Sequence, residues 1–412
     1  MGMHFLRSFR LLPACLLLLS AASAYPLAPV RIPLADSPVP PTLHARSAML
    51  LEARTGTILY EDHADTVLAP ASLTKLMTLH LVLEQIASGR LDPNEQIVPG
   101  PDAWARSMPP RSSLMFLGPR QTVRIEQLMK GLVVDSGNDA AVALADRIAG
   151  SVPAFVALMN QEAQRLGYRD MRFVEPAGIS SANAITAREY ADFCRRFIEL
   201  HPEALQSLFS LREFTYPQSE NLGEGNHEKP ITQQNRNVLL GRYEGTDGLK
   251  TGYIDESGYN IAVTAARGGM RLISVILGVP SRGRVSGARL RALESEQLLD
   301  YGFNNFTTLQ PSYPPLAVVR VWKGRSRSVQ VAPERAPYVV VPRALAGEVS
   351  AVVDQRREVI APVIEGQQMG SITVLLAGRE LTRFPLVAES GVGRGSALVR
   401  LLHSIALLFH KV

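Results

Sequence analysis

Apolar positions along this chain keep a helical period in its first half and a strand period in its second. The stretch from Ser72 to Ala87, SLTKLMTLHLVLEQIA, is apolar on nearly every face, which predicts a buried central helix opened by Pro70 and ended before Gly89. Helical spacing returns over 125–134, 138–149, 153–166 and 186–199. Upstream, Ser47–Leu51 and Thr57–Tyr60 flank Arg54-Thr55-Gly56 and read as a hairpin. From about residue 247 the segments TDGLKTGYI, YNIAVTAAR and MRLISVILGV, separated by Asp255–Gly258 and Gly268-Gly269, predict an antiparallel meander. An arginine-rich helix over about 282–300 closes that unit. After a QPSYPPLA linker, the short runs AVVRVW, SVQVA, YVVVP, EVIAPV and SITVLLA predict a small all-β domain within 316–387.

The two ends follow other rules. Residues 1–24 carry Arg7 and Arg10, an apolar run from Leu11 to Leu19, and the small residues Ala22-Ser23-Ala24, the pattern of a secretory signal peptide cleaved after Ala24. A proline-rich lead-in follows, YPLAPVRIPLADSPVPPTL. At the other end, Leu398, Leu401, Leu402, Ile405, Leu408, Phe409 and Val412 line one helical face. Arg400, His403, Ser404, His410 and Lys411 lie mostly opposite, with Val399 and Leu407 interrupting them. That segment is too short to span a bilayer and suits a helix lying in the headgroup layer, with Gly391, Gly393 and Gly395 read as a hinge that frees it. The expected divisions are therefore a signal peptide (1–24), an extended lead-in (25–44), a catalytic domain (45–308), a β-rich domain (309–388) and an amphipathic membrane-anchor helix (389–412).

Composition narrows the class further. With 46 % hydrophobic and 20 % charged residues the chain is globular. Its net charge of +5 resides mostly at the two ends, each contributing +2, so the body is close to neutral and carries no nucleic-acid footprint. Cleavage after Ala24 would leave Cys194 as the single cysteine, so no internal disulfide is expected.

Charge also singles out a residue. Only six of the 43 basic residues are lysines, so most sites that need a mere cation have accepted arginine. Lys75 stands one helical turn after Ser72, on the same face. A lysine can lose its proton when desolvated and an arginine cannot, which makes Lys75 a candidate general base for a Ser72 nucleophile. Two further strings follow in order. Ser136-Gly137-Asn138 falls in a break between helical stretches, and Lys250-Thr251-Gly252 lies on a strand where a glycine lets a ligand backbone approach closely. A second serine to relay a proton, an amide to hold an amide, and a lysine–threonine pair to hold a carboxylate together describe acyl transfer on a peptide with a free C-terminus.

The three strings resemble those of the serine penicillin-recognising enzymes. More closely, the chain is similar to low-molecular-mass penicillin-binding proteins that act as D-alanyl-D-alanine carboxypeptidases. The similarity runs from about residue 45 to the C-terminus, through ARSAMLLEARTGTILYEDHADTVLAPASLTKLMT, SGNDAAVALAD, TDGLKTGYIDESGYNIAVTA and VIAPVIEGQQMGSITV. The resemblance implies an α/β fold, a penicillin-binding/β-lactamase-like domain with helices on both faces of an antiparallel sheet, followed by the small β domain and C-terminal helix. It implies that Ser72 attacks the carbonyl between two terminal D-alanines while Lys75 takes its proton. Ser136 passes a proton to the leaving amine, Asn138 contacts the substrate amide and orients Lys75, and Lys250 and Thr251 receive the terminal carboxylate. The oxyanion would lie between the backbone N–H groups of Ser72 and Tyr253, beside Gly252. The implied partners are peptidoglycan stem peptides, β-lactams as inhibitors and a membrane surface, with no cofactor. The implied place is the periplasmic face of the cytoplasmic membrane. Ile254 and Asp135 depart from the family pattern and put rate or substrate preference in doubt.

Other readings have specific requirements. A zinc peptidase would need H-E-x-x-H, which is absent, and His63, His201 and His227 show no metal-ligand spacing. His80, on the apolar helix, reads as a hydrogen-bonded core histidine. An α/β-hydrolase would need G-x-S-x-G, also absent. A β-lactamase would need fast deacylation, in one major class through a loop glutamate. No convincing Glu-x-x-Leu-Asn string lies between the second and third motifs, and a lactamase would not need the appended β domain, whereas a D,D-endopeptidase would use the same site. A non-catalytic wall-binding protein would have no need of Ser72 and Lys75.

Overall fold

The computed structural model describes residues 38–410; the expected signal peptide, most of the lead-in, Lys411 and Val412 lie outside them. A five-stranded antiparallel sheet organises the first part, built from β1 (Ser47–Glu52), β2 (Ile58–Asp62), β3 (Thr246–Ile254), β4 (Gly258–Arg267) and β5 (Met270–Val279). Its spatial order is β2-β1-β5-β4-β3, so the hairpin at the start of the chain joins the late meander and β3 is left at an edge. Register pairs Leu50 with Ser274 and Lys250 with Ala262.

Strands buried on both faces are apolar at most positions, a rule that the central strands β1 and β5 follow, whereas the edge strand β3 carries Asp247, Lys250 and Thr251. Met49 and Leu51, with Ile273, Val275 and Leu277, face one core. It also contains α1 (Lys75–Ala87), α2 (Ile125–Lys130), α3 (Asn138–Ala149), α4 (Val152–Arg165) and α5 (Ala187–Leu200). Ala48 and Leu50, with Leu272 and Ile276, face the other core, covered by α6 (Gly287–Asn305). Helices thus cover both faces, as expected. The arginine-rich helix begins later than its composition suggested. Ser286 caps it by accepting the Arg289 N–H, while Arg282 and Val285 form a turn before it. The expected helix over 125–134 also changes character, with α2 passing into a π-helical turn over Gly131–Asp135. A Cβ at Gly131 would stand 2.4 Å from Met115 Sδ, so a larger residue there would force the Met115 side chain to move.

Beyond α6 the chain is mostly strand. Val331–Pro333, Arg379–Ala388, Gln368–Leu376 and Val349–Gln355 form one antiparallel sheet, and Val319–Trp322 pairs in parallel with Glu358–Ile360. The strands over 349–355 and 379–388 were not among those expected. In the latter, Arg379, Glu380, Arg383 and Pro385 obscure an alternation that buries Phe384, Leu386 and Ala388.

The last helix, α7 (Ala397–Phe409), corrects the hinge reading. Gly391–Gly395 is bound to the β domain: Val392 pairs with Val363, the Arg325 N–H donates to the Gly393 carbonyl, and the Gly395 N–H donates to the Lys323 carbonyl. His403 Nδ1 accepts the Lys323 N–H at 2.7 Å, and Trp322 packs edgewise on His403. Val399, His403 and Leu407, four residues apart, form the half-buried side of α7. The two apolar interruptions of the polar face are therefore the protein-facing contacts. Leu398, Leu401, Leu402, Ile405, Leu408 and Phe409 are all exposed, the last two above 80 %. Among the described residues, no single helix is long and apolar enough to cross a membrane.

Candidate active site

Ser72 lies in a turn of 3₁₀ helix, Ala71–Thr74, that leads straight into α1. Ala71 enters this turn with φ +52°, an uncommon conformation for a residue with a Cβ. Lys75, the first residue of α1, is 1 % exposed. Its Nζ lies 3.0 Å from Ser72 Oγ, 2.7 Å from Asn138 Oδ1 and 2.5 Å from the Ala177 carbonyl oxygen. Burial lowers the Lys75 pKa to about 7; Glu175 and Asp139 oppose that shift and Arg236 adds to it. A neutral amine directed at a serine hydroxyl is therefore well populated near pH 7, which is what a general base requires.

The second string sits where the π-helical turn ends. Ser136 adopts a left-handed conformation with φ +59°, which costs a non-glycine residue roughly 1–2 kcal/mol. The turn places Ser136 Oγ 2.8 Å from Lys250 Nζ. Asn138 opens α3 and donates its N–H to the Ser113 carbonyl. Asp139 holds the facing loop through the N–H groups of Met115, Phe116 and Leu117 at 2.8–3.0 Å.

Lys250 and Thr251 are both buried on β3. The Lys250 pKa is pushed well down, first by burial and then by the positive charges of Lys75, Arg236 and Arg291. A ligand carboxylate arriving there would supply the counter-charge the site lacks. Gly252 is the closest point between β3 and the nucleophile turn: a Cβ would lie 2.8 Å from the Pro70 carbonyl oxygen and 3.0 Å from the Ser72 nitrogen. The sequence suggested a ligand backbone as the close neighbour of this glycine; the neighbour observed is the protein's own nucleophile turn. Tyr253 is half-exposed; its hydroxyl donates to Asp255 at 2.6 Å and its ring stacks on Tyr259. As an edge strand, β3 has no strand neighbour among the described residues on the side away from β4, leaving backbone groups there free of sheet pairing with them.

A model of the D-alanyl-D-alanine carboxypeptidase family matches residues 35–281, and one of the penicillin-binding protein 5 C-terminal domain matches residues 303–394. The D-alanyl-D-alanine carboxypeptidase DacC of Escherichia coli K12 is 34 % identical over 378 residues, 90 % of either chain. The chain belongs to the D-alanyl-D-alanine carboxypeptidase family. Penicillin-binding protein 5 of Haemophilus influenzae has a similar structure, with a TM-score of 0.76 at 32 % identity, covering 87 % of this chain and 100 % of that one. Penicillin-binding protein D2 of Listeria monocytogenes, solved in its ampicillin-bound form, aligns with a TM-score of 0.54 at 30 % identity, covering 64 % of this chain and 100 % of that one.

Around these residues, several groups escaped the sequence reading. The Glu175-Pro176-Ala177-Gly178 loop supplies the third acceptor for Lys75. Glu175 ties it down by accepting the N–H groups of Ala177, Gly178 and Ile179 at 2.7–2.8 Å. Gly178, at φ +82°, lies so close that a Cβ would be 1.8 Å from the Ala71 carbonyl oxygen. The Pro-Ala-Gly string was a legible turn signal, but its partner lies over a hundred residues away. Arg291, on α6, donates to the Gly252 carbonyl at 2.7 Å, and Arg236 donates to the Asp135 carbonyl at 3.3 Å. Asp135 itself is buried, with Oδ1 lacking a hydrogen-bond partner, and its pKa is raised to about 8, chiefly by burial and then by Asp139.

Proposed function

We infer that this chain, a serine-type D-alanyl-D-alanine carboxypeptidase acting on peptidoglycan stem peptides, works through Ser72 as nucleophile and neutral Lys75 as its base. The observation that carries the assignment is the buried Lys75 amine, 3.0 Å from Ser72 Oγ and with a pKa lowered to about 7. Ser72 attacks the carbonyl between the two terminal D-alanines as its proton passes to Lys75 Nζ. Backbone N–H groups of Ser72 and Tyr253 stabilise the oxyanion. The proton reaches the leaving amine through Ser136, whose hydroxyl contacts Lys250. Lys250 and Thr251 bind the terminal carboxylate, Gly252 admits the nucleophile turn, and Asn138 orients Lys75 and meets the substrate amide. D-alanine departs and water hydrolyses the acyl-enzyme. β-Lactams, which present a strained amide and a carboxylate to the same groups, acylate Ser72 and inhibit. The same chemistry extends to crosslinked peptides in a D,D-endopeptidase reaction.

The exposed apolar face of α7 supports peripheral attachment to the outer face of the cytoplasmic membrane, with 1–24 as the export signal. The β domain over 309–388 then stands between that surface and the catalytic domain over 45–308. The deciding experiment incubates the protein and Ser72→Ala with a fluorescent penicillin and with a model pentapeptide ending in D-Ala-D-Ala. Labelling and D-alanine release by the parent protein, both abolished in the variant, support the assignment. D-alanine release retained by Ser72→Ala refutes it.

A further inference from the structure

Away from the nucleophile, one turn and a half along α1, the fold assembles a cluster that the carboxypeptidase reaction does not use. His80 and Glu84 stand four residues apart on one face of α1. His201 directly follows α5 and lies 121 positions from His80, so no sequence spacing could pair them. In the structure, His80 Nδ1 and His201 Nε2 are 3.0 Å apart, and Glu84 Oε1 is 3.5 Å from His201 Nε2. The three ligand atoms lie within 4.8 Å of one another.

We propose that His80 Nδ1, His201 Nε2 and a Glu84 carboxylate oxygen form a site for a divalent transition metal of the zinc class. Bond lengths of about 2.0–2.1 Å in a tetrahedral arrangement separate neighbouring ligand atoms by roughly 3.3 Å, and the observed 3.0 and 3.5 Å bracket that value. Two imidazoles and one carboxylate suit zinc and its neighbours, whereas magnesium or calcium would demand more oxygen.

The surroundings follow the same logic. The other nitrogen of His80, Nε2, lies 2.9 Å from Glu162 Oε1, and Arg165 fixes that carboxylate with contacts of 2.6 and 2.7 Å. A carboxylate accepting the far N–H of a histidine sets its tautomer, leaving a lone pair on Nδ1 directed at the metal position. Phe193 and Phe197 pack edgewise on His80, so its ring is held in an apolar wall. The Glu84 side chain is 42 % exposed, so the cluster is reached from solvent, which would supply a water as fourth ligand. In the metal-free protein a single proton between the two imidazoles satisfies the same pair of nitrogens, and the ion takes that proton's place. The site ties the middle of α1 to the end of α5 and so acts as a structural clamp.

The test uses untagged full-length protein purified in detergent. Zn²⁺ titrated by calorimetry is expected to bind one ion per chain, and Co²⁺ in its place to give the intense visible absorption of a four-coordinate ion. Glu84→Gln and His201→Gln should each weaken Zn²⁺ binding by about a hundredfold or more, and Glu162→Gln by roughly 10–100-fold. Labelling with fluorescent penicillin verifies that each variant is folded. A parent protein without stoichiometric Zn²⁺, or folded ligand variants that match its affinity and Co²⁺ spectrum, would overturn the proposal.

Discussion

Replacing Lys75 by arginine isolates the proton-accepting role from the charge. The amine is 1 % exposed, touches three oxygens within 3.0 Å, and titrates near pH 7. For a base with that pKa, the deprotonated fraction is about 9 % at pH 6 and about 91 % at pH 8, so acylation should rise about tenfold between them and then level. The rise goes with pH because only the neutral amine can accept the Ser72 proton. A guanidinium keeps the charge and cannot deprotonate below pH 12. Removal of a positioned base costs typically 10²–10⁴-fold, equivalent to about 2.7–5.4 kcal/mol of barrier. The assay is stopped-flow acylation by a fluorescent penicillin from pH 5.5 to 9, on the parent and on Lys75→Arg. Asp135 has a pKa of about 8 and titrates in the same window, so Asp135→Asn serves as the control: a limb centred near 7 that survives in it belongs to Lys75. A flat parent profile, or a Lys75→Arg rate within tenfold of the parent, would refute the assignment.

Three further expectations use other parts of the structure. Amidating the pentapeptide C-terminus should remove a charge-assisted contact with Lys250 and Thr251 worth about 1.5–3 kcal/mol, lowering turnover roughly ten- to a hundredfold or more; equal turnover of acid and amide would contradict the pocket. Gly178→Ala forces a Cβ against the Ala71 carbonyl from a left-handed backbone, so it should lower thermal stability and slow acylation, and unchanged Tm and acylation would contradict the close packing there. Leu408→Asp combined with Phe409→Asp removes two side chains worth about 1.5–3 kcal/mol each when buried, so sedimentation with anionic vesicles should weaken at least a hundredfold while penicillin labelling persists. Undiminished sedimentation would exclude that face as the anchor.

The elements of the fold were readable because burial imposes a period on the chain. Apolar runs separated by turn signals pointed to an antiparallel meander, and the all-round apolar Ser72–Ala87 stretch became a 3₁₀ turn and the central helix, whose polar members are buried with specific partners such as His80 with His201 and Glu162. The three short strings were also legible as candidates, and the structure brings Ser72, Lys75 and Asn138 into contact and sets Ser136 against Lys250. Local pattern failed where a distant neighbour decides. Arg379–Ala388 is a strand because its alternate residues meet a sheet that the charged sequence does not announce. Gly395 permits close packing against Gly324 and is no hinge, because the contact that defines it lies some 70 residues earlier.

The sequence by itself determined which groups are available: a lysine among many arginines one turn after a serine, a second serine, an amide, and a lysine–threonine pair on a strand. Only the tertiary structure decided what those groups can do. The Lys75 amine has a pKa lowered to about 7 because the fold desolvates it, and the same packing holds it 3.0 Å from Ser72 Oγ; desolvation belongs to the assembled core. The Ala177 carbonyl, the Glu175 loop, Arg236 and Arg291 entered the site through contacts that no spacing encodes. His80 and His201 met for the same reason. Residue type is a property of one position, whereas pKa, approach and coordination are properties of several positions brought together by packing.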